Sequence, residues 1–583
     1  MTTFKELKKE AKRIPALLAE RAKPVKIALL GDSATQFLAT AISGEAVRQG
    51  IVPDLYEAEY NQVERQILDP TSQLNEFQPQ YLIVYQSSHK LLEHYSTLND
   101  AQRENLANDR LEFIKTIIGA MPANCRIIYF NYAEIDDTVF GSYANKVPSS
   151  FTYQLRKLNY IVDEYASAVP NLSIFDLQAI QSKYGRDFMF DSNIYMSTEM
   201  LLSIDSLPII AQNVVDIIAA YQGKFKKCLV LDLDNTLWGG VVSDDGWENV
   251  QIGHGLGIGK AFTEFQQWIK KIKQRGIILA INSKNYEEVA KEVFEKNPEM
   301  VLKLDDIAMF VANWENKADN LRFIQQTLNI GMDSIVFLDD NPAERAMVKE
   351  HIPEVTVPDL PADPGEYLEY LYSLNLFETA SYSKADSDRT AQYQEQAQRA
   401  ALQQKFTNEA DFLKSLDMVS VVTGFNKFNT PRVAQLSQRS NQFNLRTVRY
   451  TEADITAIEV DKDKYATFSF TLEDRFGDNG LICVIILEKK DKETLFVDTW
   501  FMSCRVLKRG MENFTLNTIV DYAKANGFKR IIGEYLPSAK NKMVEEHFPG
   551  LGFTKLDGTE TAQYILNVDS YEPRECYITT KEL

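Results

Sequence analysis

The sequence contains few cysteines. Its 583 residues include only Cys125, Cys228, Cys483, Cys504 and Cys576. Their number is odd and their spacings are wide, so they form neither a disulfide framework nor a zinc-ligand pattern. Any functional cysteine would therefore act as a single thiol.

Long apolar runs and a positive net charge are also absent. The most apolar helical stretch, residues 201–220, is interrupted by Asp205, Pro208, Gln212 and Asp216, so we expect no membrane span. The net charge is −19, which makes general binding of nucleic acid or anionic membranes unfavourable. The N-terminal segment is charged and lacks the apolar core of a signal peptide, and we expect a cytoplasmic protein.

The composition is that of a folded chain with several domains. Hydrophobic residues make up 45% and charged residues 25%, and the length suits roughly three or four domains. Alternating apolar strands and helical stretches predict α/β domains with parallel sheets over residues 1–222 and 223–365. A helical linker or bracing helix is expected over 366–410, and an α+β domain over 411–583.

Two aspartates, Asp232 and Asp234, end an apolar strand. Residues i and i+2 of a strand point the same way, so at the carboxyl end of the strand both carboxylates converge. They repel one another unless a proton or a cation lies between them, and Mg²⁺ suits such a pair. The alternative is a pair of solvated acids at a strand end.

Three further motifs follow in order. Ser283 ends a second apolar strand, Lys317 lies on a helix, and Asp339-Asp340-Asn341 ends a third strand. With the first pair they supply a nucleophilic carboxylate, a second carboxylate for proton transfer, a hydroxyl and an ammonium for phosphoryl oxygens, and acids for a metal. The alternative interpretation, acids that are merely solvated at strand ends, explains one pair of aspartates but not four motifs in this order.

Residues 228–342 resemble the haloacid dehalogenase superfamily of phosphotransferases. KCLVLDLDNTLWGGVVSDDGW and FLDDNPAER are similar to its FkbH-like branch. The resemblance implies that Asp232 forms an aspartyl-phosphate and that Asp234 is the general acid and base. It also implies that Ser283 and Lys317 hold the phosphoryl group.

The resemblance further implies a metal site and substrate contacts. The implied ligands of Mg²⁺ are Asp232, Asp234, Asp339 and Asp340. Whether Asp339 or Asp340 binds the metal directly stays open. Thr236 and Asn341 are the expected substrate contacts beside them.

The interval between Asp232 and Ser283 leaves no room for a large cap domain. It must hold a helix and a strand, so only a short flap from Trp238 to about Gly259 is expected. The Gly-rich piece at its end is read as a flap-to-helix turn. A P-loop is excluded because His254 and Ala261 replace the glycine and the Ser or Thr that it needs.

The segment 495–530 resembles the central part of the acyl-CoA N-acyltransferase (GNAT) fold. In its phosphate-binding turn, which runs from Arg505 to Gly510, Lys508 replaces the first glycine. We therefore expect the turn to have lost the CoA diphosphate and to accept the single phosphate of a carrier-protein arm. Arg505, Lys508 and Arg509 are the expected substrate contacts of this turn.

Cys504 has two interpretations. A lone cysteine in a strand is usually a small buried apolar residue. Nearby cations and a following helix would instead lower its thiol pKa. SCRVL, DRFGDNG (474–480) and LSQRSNQFNLRT (436–447) are similar to FkbH-like proteins, and the resemblance implies a thioester at Cys504. It further implies loading of a glyceryl unit from 1,3-bisphosphoglycerate onto an acyl carrier protein.

A polar cluster precedes this region. Its members are Arg439, Asn441, Gln442, Asn444 and Arg446. Their amides and guanidinium groups either bind the 3-phosphate or brace a domain interface, and both interpretations stay open.

Gly31-Asp32-Ser33 resembles the first motif of SGNH hydrolases. That chemistry needs a histidine base in a late D-x-x-H motif, and the corresponding segment 191–195 has none. Without a base the serine is a weak nucleophile. We expect an SGNH-like fold without hydrolase activity, used for docking.

The main hypothesis is a Mg²⁺-dependent phosphatase and glyceryl transferase that acts with an acyl carrier protein and its phosphopantetheine arm. A second is a phosphatase in polysaccharide or secondary-metabolite synthesis whose C-terminal domain binds a phosphorylated small molecule. A third is a carrier-docking scaffold. Intact Asp232, Asp234, Ser283, Lys317 and Asp339 argue against the scaffold.

Overall fold

The computed structural model describes residues 2–19, 23–382, 389–403, 405–538, 540–559 and 561–581, without the side chains of residues 401 and 504. The chain divides into two compact units. The first comprises Met1–Ala219 and Thr451–Asp454, and the second Ala220–Tyr450 and Ile455–Leu583.

The first unit is built on a parallel sheet of five strands. Its strands are β1 (Val25–Gly31), β2 (Pro53–Glu57), β3 (Tyr81–Tyr85), β4 (Arg126–Phe130) and β5 (Leu172–Phe175). Their order is β2-β1-β3-β4-β5, and every pairing is parallel. Strand β3 is buried along its whole length, as expected for a strand covered by helices on both faces.

Helices cover this sheet. They are α1 (Phe4–Ala11), α2 (Ile14–Ala19), α3 (Gln36–Arg48), α4 (Val63–Leu68), α5 (Gln73–Phe77), α6 (Ser88–Thr97), α7 (Asp100–Gly119), α8 (Phe151–Ser167), α9 (Leu177–Tyr184), α10 (Arg186–Met189), α11 (Ser192–Thr198) and α12 (Leu207–Tyr221). Helix α1 begins with a capping box between Thr3 and Glu6. It packs against α3 at Gly44, where a β-carbon would lie 2.0 Å from the Leu7 carbonyl oxygen.

The second unit begins with a smaller parallel sheet, the phosphatase sheet. Its strands, β6 (Cys228–Leu231), β7 (Ile278–Ser283), β8 (Met309–Ala312) and β9 (Ile335–Leu338), lie in the order β8-β7-β6-β9. Its helices are α13 (Val242–Asp245), α14 (Ile258–Gln274), α15 (Glu287–Lys296), α16 (Lys317–Leu328), α17 (Pro342–His351) and α18 (Tyr367–Ser373).

A short flap separates β6 from α14. Within the fully described interval 232–278, α13 is the only regular element before α14, so no cap domain is inserted there. Helix α14 begins after Gly257, whose φ of 104° lies in the region that favours glycine. The predicted flap-to-helix turn is therefore confirmed.

The second unit ends in a mixed sheet. Its strands are β10 (Met418–Ser420), β11 (Val422–Thr423), β12 (Tyr465–Asp474), β13 (Gly477–Lys489), β14 (Thr494–Met502), β15 (Arg530–Tyr535), β16 (Thr554–Lys555), β17 (Ala562–Asn567) and β18 (Ile578–Thr580). Strands β12, β13 and β14 are antiparallel, whereas β14 and β15 are parallel. The helices of this part are α19 (Arg389–Gln403), α20 (Glu409–Ser415), α21 (Thr430–Arg439), α22 (Glu452–Val460), α23 (Met511–Ala525) and α24 (His547–Gly550).

Helix α19 braces the second unit. The Gln394 side chain donates to the carbonyl oxygen of Ile307 at 2.9 Å, just before β8. The Arg399 guanidinium reaches Asp474 at the end of β12, with two nitrogen–oxygen distances of 2.7 Å. Of the two predictions for this segment, linker or bracing helix, the structure supports the bracing helix.

The predicted α/β class with several domains and two parallel sheets is confirmed. Two strands of the parallel sheets were not predicted. Strand β2 reads PDLYE and is only partly buried, and β8 is a four-residue edge strand. Neither has the apolar run that identified the central strands. Among the described residues, no helix has both the length and the apolar composition to cross a membrane.

Candidate active site

Three strands of the phosphatase sheet deliver the predicted residues to one edge. Leu231 pairs with Ile281 of β7 and with Leu338 of β9. Because the strands are parallel and in register, the residues that follow them emerge together. Asp232 follows β6, Ser283 ends β7 and Asp339 follows β9. The predicted convergence is therefore observed.

Lys317 lies between two of these carboxylates. It is 2% exposed, and its Nζ lies 2.9 Å from Asp232 Oδ2 and 2.5 Å from Asp339 Oδ2. Burial alone would lower the pKa of Lys317, but Asp232 and Asp339 outweigh burial and raise it. The Asn282 side-chain amide donates a hydrogen bond to the Lys317 carbonyl oxygen at 2.9 Å, which fixes the start of α16.

Three carboxylates form a cluster. Asp232, Asp339 and Asp340 each place an oxygen within 4.8 Å of the others. Burial, followed by the charge of Asp232, raises the pKa of Asp339 to about 6 and raises that of Asp340 as well. Such a set of hard oxygen donors with uncompensated charge fits Mg²⁺.

Asp234 lies outside this cluster, contrary to its predicted role as a metal ligand. Its Oδ1 accepts from Trp238 Nε1 at 2.9 Å and from the Val242 amide at 3.1 Å, and its Oδ2 accepts from Asn285 at 2.8 Å. These contacts turn the carboxylate towards the flap. Burial raises the pKa of Asp234, against the effect of these hydrogen bonds. A raised pKa is the direction that a general acid requires.

The structure gives Thr236 a positioning role instead of the predicted substrate contact. Thr236 is buried; its hydroxyl donates to Asp340 Oδ1 at 3.2 Å and accepts from the Asp340 amide at 3.1 Å. The Asn341 side chain caps α17 by accepting from the Ala343 amide at 2.9 Å. Asn341 is exposed, and its predicted substrate contact stays a prediction.

Sequence reasoning missed the side chains that hold the aspartates. Arg345 donates to the carbonyl oxygens of Asp339 at 2.8 Å and Asp340 at 2.6 Å. Trp238 and Asn285 bind Asp234 from the flap and from the loop after β7. Asn285 stands two positions after Ser283, so the strand-end pattern could have indicated it. Arg345 lies in a helix and gave no such signal.

Arg439 and Arg505, two predicted substrate residues, line one cavity. The other lining residues that carry charge or a hydroxyl are Lys227, Arg389, Tyr393, Arg432, Ser440 and Ser503. Arg439 also donates to the Ser381 carbonyl oxygen at 2.8 Å. Burial lowers the pKa of Arg505. We name this space the basic cavity; Lys227 places it at the amino end of β6.

Arg509 is held by structural contacts. It is 5% exposed, and it binds Asp474 Oδ2 at 3.0 Å, Gln396 Oε1 at 2.6 Å and the Arg505 carbonyl oxygen at 2.6 Å. Arg509 and Lys508 also line a cavity of about 220 Å³, and their predicted phosphate contact stays a prediction. The neighbouring Lys508 is exposed, with a φ of 62°.

The amide residues of the polar cluster brace the fold. Asn441 donates to the Gly223 carbonyl oxygen at 2.7 Å and accepts from Arg449. Asn444 is buried and accepts from the Thr447 amide at 2.8 Å. For these two residues the structure favours bracing over phosphate binding.

The remaining members of that cluster differ. Arg446 forms ion pairs of 2.7 Å with Asp498 and with Glu534, so it too braces the sheet. Gln442 is half-buried. Its predicted substrate contact stays a prediction.

The Cys504 side chain lies outside the described part of the chain, and the thioester stays a prediction. The backbone of Cys504–Val506 forms a 3₁₀ turn after β14. Cys228 and Cys483 are fully buried, and burial raises the pKa of both thiols. Cys576 is half-buried.

The comparisons with known proteins agree with this site. Residues 26–219 match the family described as FkbH, N-terminal domain. The N-terminal part of protein BF1531 from Bacteroides fragilis, which contains a phosphatase domain and was crystallised in complex with Mg, is 63% identical. The match covers 65% of this chain and 100% of that chain, with a TM-score of 0.62.

Other similar structures are acetyltransferases. The ribosomal-protein-S18-alanine N-acetyltransferase from Escherichia coli is 13% identical, with coverage of 26% of this chain and 94% of that chain and a TM-score of 0.21. Ard1 from Thermoplasma volcanium is 10% identical, with coverage of 26% and 97% and a TM-score of 0.21. No curated protein sequence matches the chain.

Proposed function

The chain belongs to the FkbH-like family and carries a phosphatase domain of the haloacid dehalogenase superfamily, and from this premise we propose that it is a Mg²⁺-dependent phosphatase and glyceryl transferase. The observation that supports the phosphatase half best is the position of Lys317 between Asp232 and Asp339. The ammonium lies 2.9 Å from the Asp232 carboxylate and offsets negative charge where that carboxylate would attack phosphorus.

In the phosphatase half, an Asp232 oxygen attacks the phosphorus atom and the bond to the leaving oxygen breaks. Asp234 gives its proton to that oxygen. Water then attacks the aspartyl-phosphate, Asp234 takes up the proton, and inorganic phosphate leaves. Bound Mg²⁺, held by Asp232, Asp339 and Asp340, supplies positive charge beside the phosphoryl oxygens. The proposed role of Ser283, which is buried at the same edge, is to hold a phosphoryl oxygen.

In the transferase half, the Cys504 thiolate attacks the acyl carbon of 1,3-bisphosphoglycerate. The carbon–oxygen bond breaks, the 1-phosphate leaves, and a thioester forms on the enzyme. The thiol of a carrier-protein phosphopantetheine arm then takes the acyl group and returns the thiolate. The basic cavity beside Ser503, with Arg439 and Arg505 in its lining, supports a phosphate-bearing substrate at this end.

The separation of the two regions favours a second candidate. The basic cavity lies at the amino end of β6, and the aspartates lie at its carboxyl end. A three-carbon bisphosphate does not span this distance, whereas an extended phosphorylated substrate does. The chain would then be a phosphatase whose C-terminal domain only binds substrate.

Intact-protein mass spectrometry after incubation with Mg²⁺ and enzymatically generated 1,3-bisphosphoglycerate separates the candidates. The main proposal expects a hydroxylamine-labile glyceryl or phosphoglyceryl adduct that is lost in Cys504→Ala and kept in the matched control Cys576→Ala. Phosphate release without an adduct would leave the second candidate. Release of phosphate from p-nitrophenyl phosphate that is unchanged in Asp232→Asn would contradict the phosphatase half of both candidates.

A further inference from the structure

A cavity of about 230 Å³ opens at the carboxyl ends of two adjacent strands in the first unit. Asp32 follows β1 and Gln86 follows β3, and both line it. The sheet order β2-β1-β3-β4-β5 changes direction between β1 and β3. Open α/β sheets bind ligands at such a switch point, outside the carboxyl ends of the strands. This cavity belongs to neither region used in the proposed function.

Asp32 lines the cavity and has an incomplete set of hydrogen bonds. The residue is 8% exposed, and its Oδ2 accepts from the Ser87 amide at 2.7 Å. Its Oδ1 is buried without a hydrogen-bond partner among the described residues. Leaving a buried carboxylate oxygen without a donor is unfavourable. The partner that would satisfy Asp32 Oδ1 is therefore a hydrogen-bond donor.

Positive charge lines the same cavity. Arg110 donates from Nε to the Tyr132 hydroxyl at 2.9 Å and stacks on Phe113, with 4.6 Å between the guanidinium carbon and the ring centroid. These contacts hold the guanidinium in place and leave its terminal nitrogens for another acceptor. Lys90, the other cation, already forms ion pairs with Glu199 at 3.0 Å and Glu93 at 3.2 Å.

The lining carries charges of both signs. Asp32 and Glu64 are acidic, Arg110 is basic, and Glu199 and Glu93 already offset the charge of Lys90. Such a site favours a ligand that offers a donor at one end and an anion at the other over a strongly charged bisphosphate. We infer that this cavity is a second ligand site, which binds a small amino acid or hydroxy acid through Asp32 and Arg110.

Binding without hydrolysis is the expected activity of this site. Ser33, the serine that resembles an SGNH nucleophile, is 0% exposed and does not line the cavity. Its hydroxyl has no partner among the described residues, so none of the described histidines serves it as a base.

Isothermal titration of the full chain tests the inference with L-serine, D-glycerate and glycerol as probes. We expect at least one of the two acids to bind with a Kd below about 1 mM, and glycerol, which lacks the anion, to bind at least about tenfold more weakly. L-serine and D-glycerate distinguish an ammonium from a hydroxyl at Asp32. Asp32→Asn and Arg110→Gln should each weaken binding by at least about tenfold.

Asp54→Asn, a half-buried acid on β2 outside the cavity, is the matched control and should bind as the wild type does. Far-ultraviolet circular dichroism and a melting curve report whether each variant has folded, because Asp32 and Arg110 belong to the first unit. Two results would overturn the inference: no binding of either acid by the wild type, or equal affinity in the wild type and in both folded cavity variants.

Discussion

Lys227 and Asp232 lie at opposite ends of the same strand, β6. At about 3.3 Å per residue their Cα atoms are roughly 16 Å apart. Lys227 lines the basic cavity, whereas Asp232 belongs to the carboxylate cluster. The chemistry of phosphate removal and the proposed acyl chemistry are therefore carried by opposite edges of the phosphatase sheet.

This separation predicts that Arg439→Gln impairs one activity only. The substitution removes a cation from the basic cavity, so we expect adduct formation with 1,3-bisphosphoglycerate to fall by about tenfold or more. Release of phosphate from p-nitrophenyl phosphate, a small substrate that needs only the carboxylate edge, should stay within about twofold.

The control for this prediction is Arg530→Gln, which removes an arginine from β15, where it faces Glu493 at 3.6 Å. It should change neither activity. Equal loss of both activities in Arg439→Gln would show that the two edges act as one site.

Lys317→Met should abolish phosphatase activity and weaken the fold. Loss of a preorganised charge at a reacting centre costs about 10²- to 10³-fold in rate. The substitution also leaves Asp232 and Asp339 buried without their shared cation, which should lower the melting temperature. Steady-state kinetics and thermal melts with and without Mg²⁺ measure both effects.

Lys284→Met is the matched control, because Lys284 pairs with Glu344 on an exposed surface near the same edge. Its ion pair should contribute about 1 kcal/mol or less. Near-normal turnover in Lys317→Met would remove the proposed role of the ammonium.

Asp474→Asn should destabilise the second unit. Asp474 is fully buried at its side chain and accepts from both Arg399 and Arg509. Removing the charge leaves the buried Arg509 guanidinium without a counter-ion, while Arg399 keeps Glu395 at 3.1 Å, so we expect the free energy of unfolding to fall by about 3–5 kcal/mol. Urea denaturation measures the loss. The exposed Asp478→Asn in the same turn should be close to neutral, and an equal effect of both variants would refute the assignment.

The aspartate site could be predicted because its signal is local. Asp232, Ser283 and Asp339 stand at the ends of apolar strands, and parallel pairing alone brings such ends together. The fate of Arg509 could not be predicted, because it depends on Asp474 and on a helix more than a hundred positions earlier in the sequence. A basic residue near a phosphate-binding turn looks the same in sequence whether it faces a ligand or a buried carboxylate.

The same limit explains Asp234 and Thr236. Alternation along a strand predicts which way Asp234 points, but the flap that follows provides Trp238 and turns the carboxylate away from the metal cluster. Sequence spacing does not specify such a contact, since the path of an irregular flap is set by packing.

Asp32→Asn should stabilise the protein in a pH-dependent way. Burial is the main cause that raises the pKa of Asp32 from an ordinary 3.8 to about 6, against the opposing effects of Ser87, Arg110 and Lys90. Between these two pH values the folded protein retains a proton that the unfolded chain has lost. The free energy of unfolding therefore falls as the pH rises from about 4, and the contribution of the protonated Asp32 is fully lost above about 6.

Asparagine cannot ionise, so the variant escapes this loss. We expect the melting temperature of Asp32→Asn to exceed that of the wild type at pH 8, and the difference to shrink as the pH falls towards 4. Asp54→Asn controls for the loss of an acidic side chain from the same sheet. The opposite result would be a melting-temperature advantage of Asp32→Asn over the wild type that grows as the pH falls. It would mean that the fold stabilises the ionised form of Asp32, and the unpartnered oxygen would then no longer indicate a ligand site.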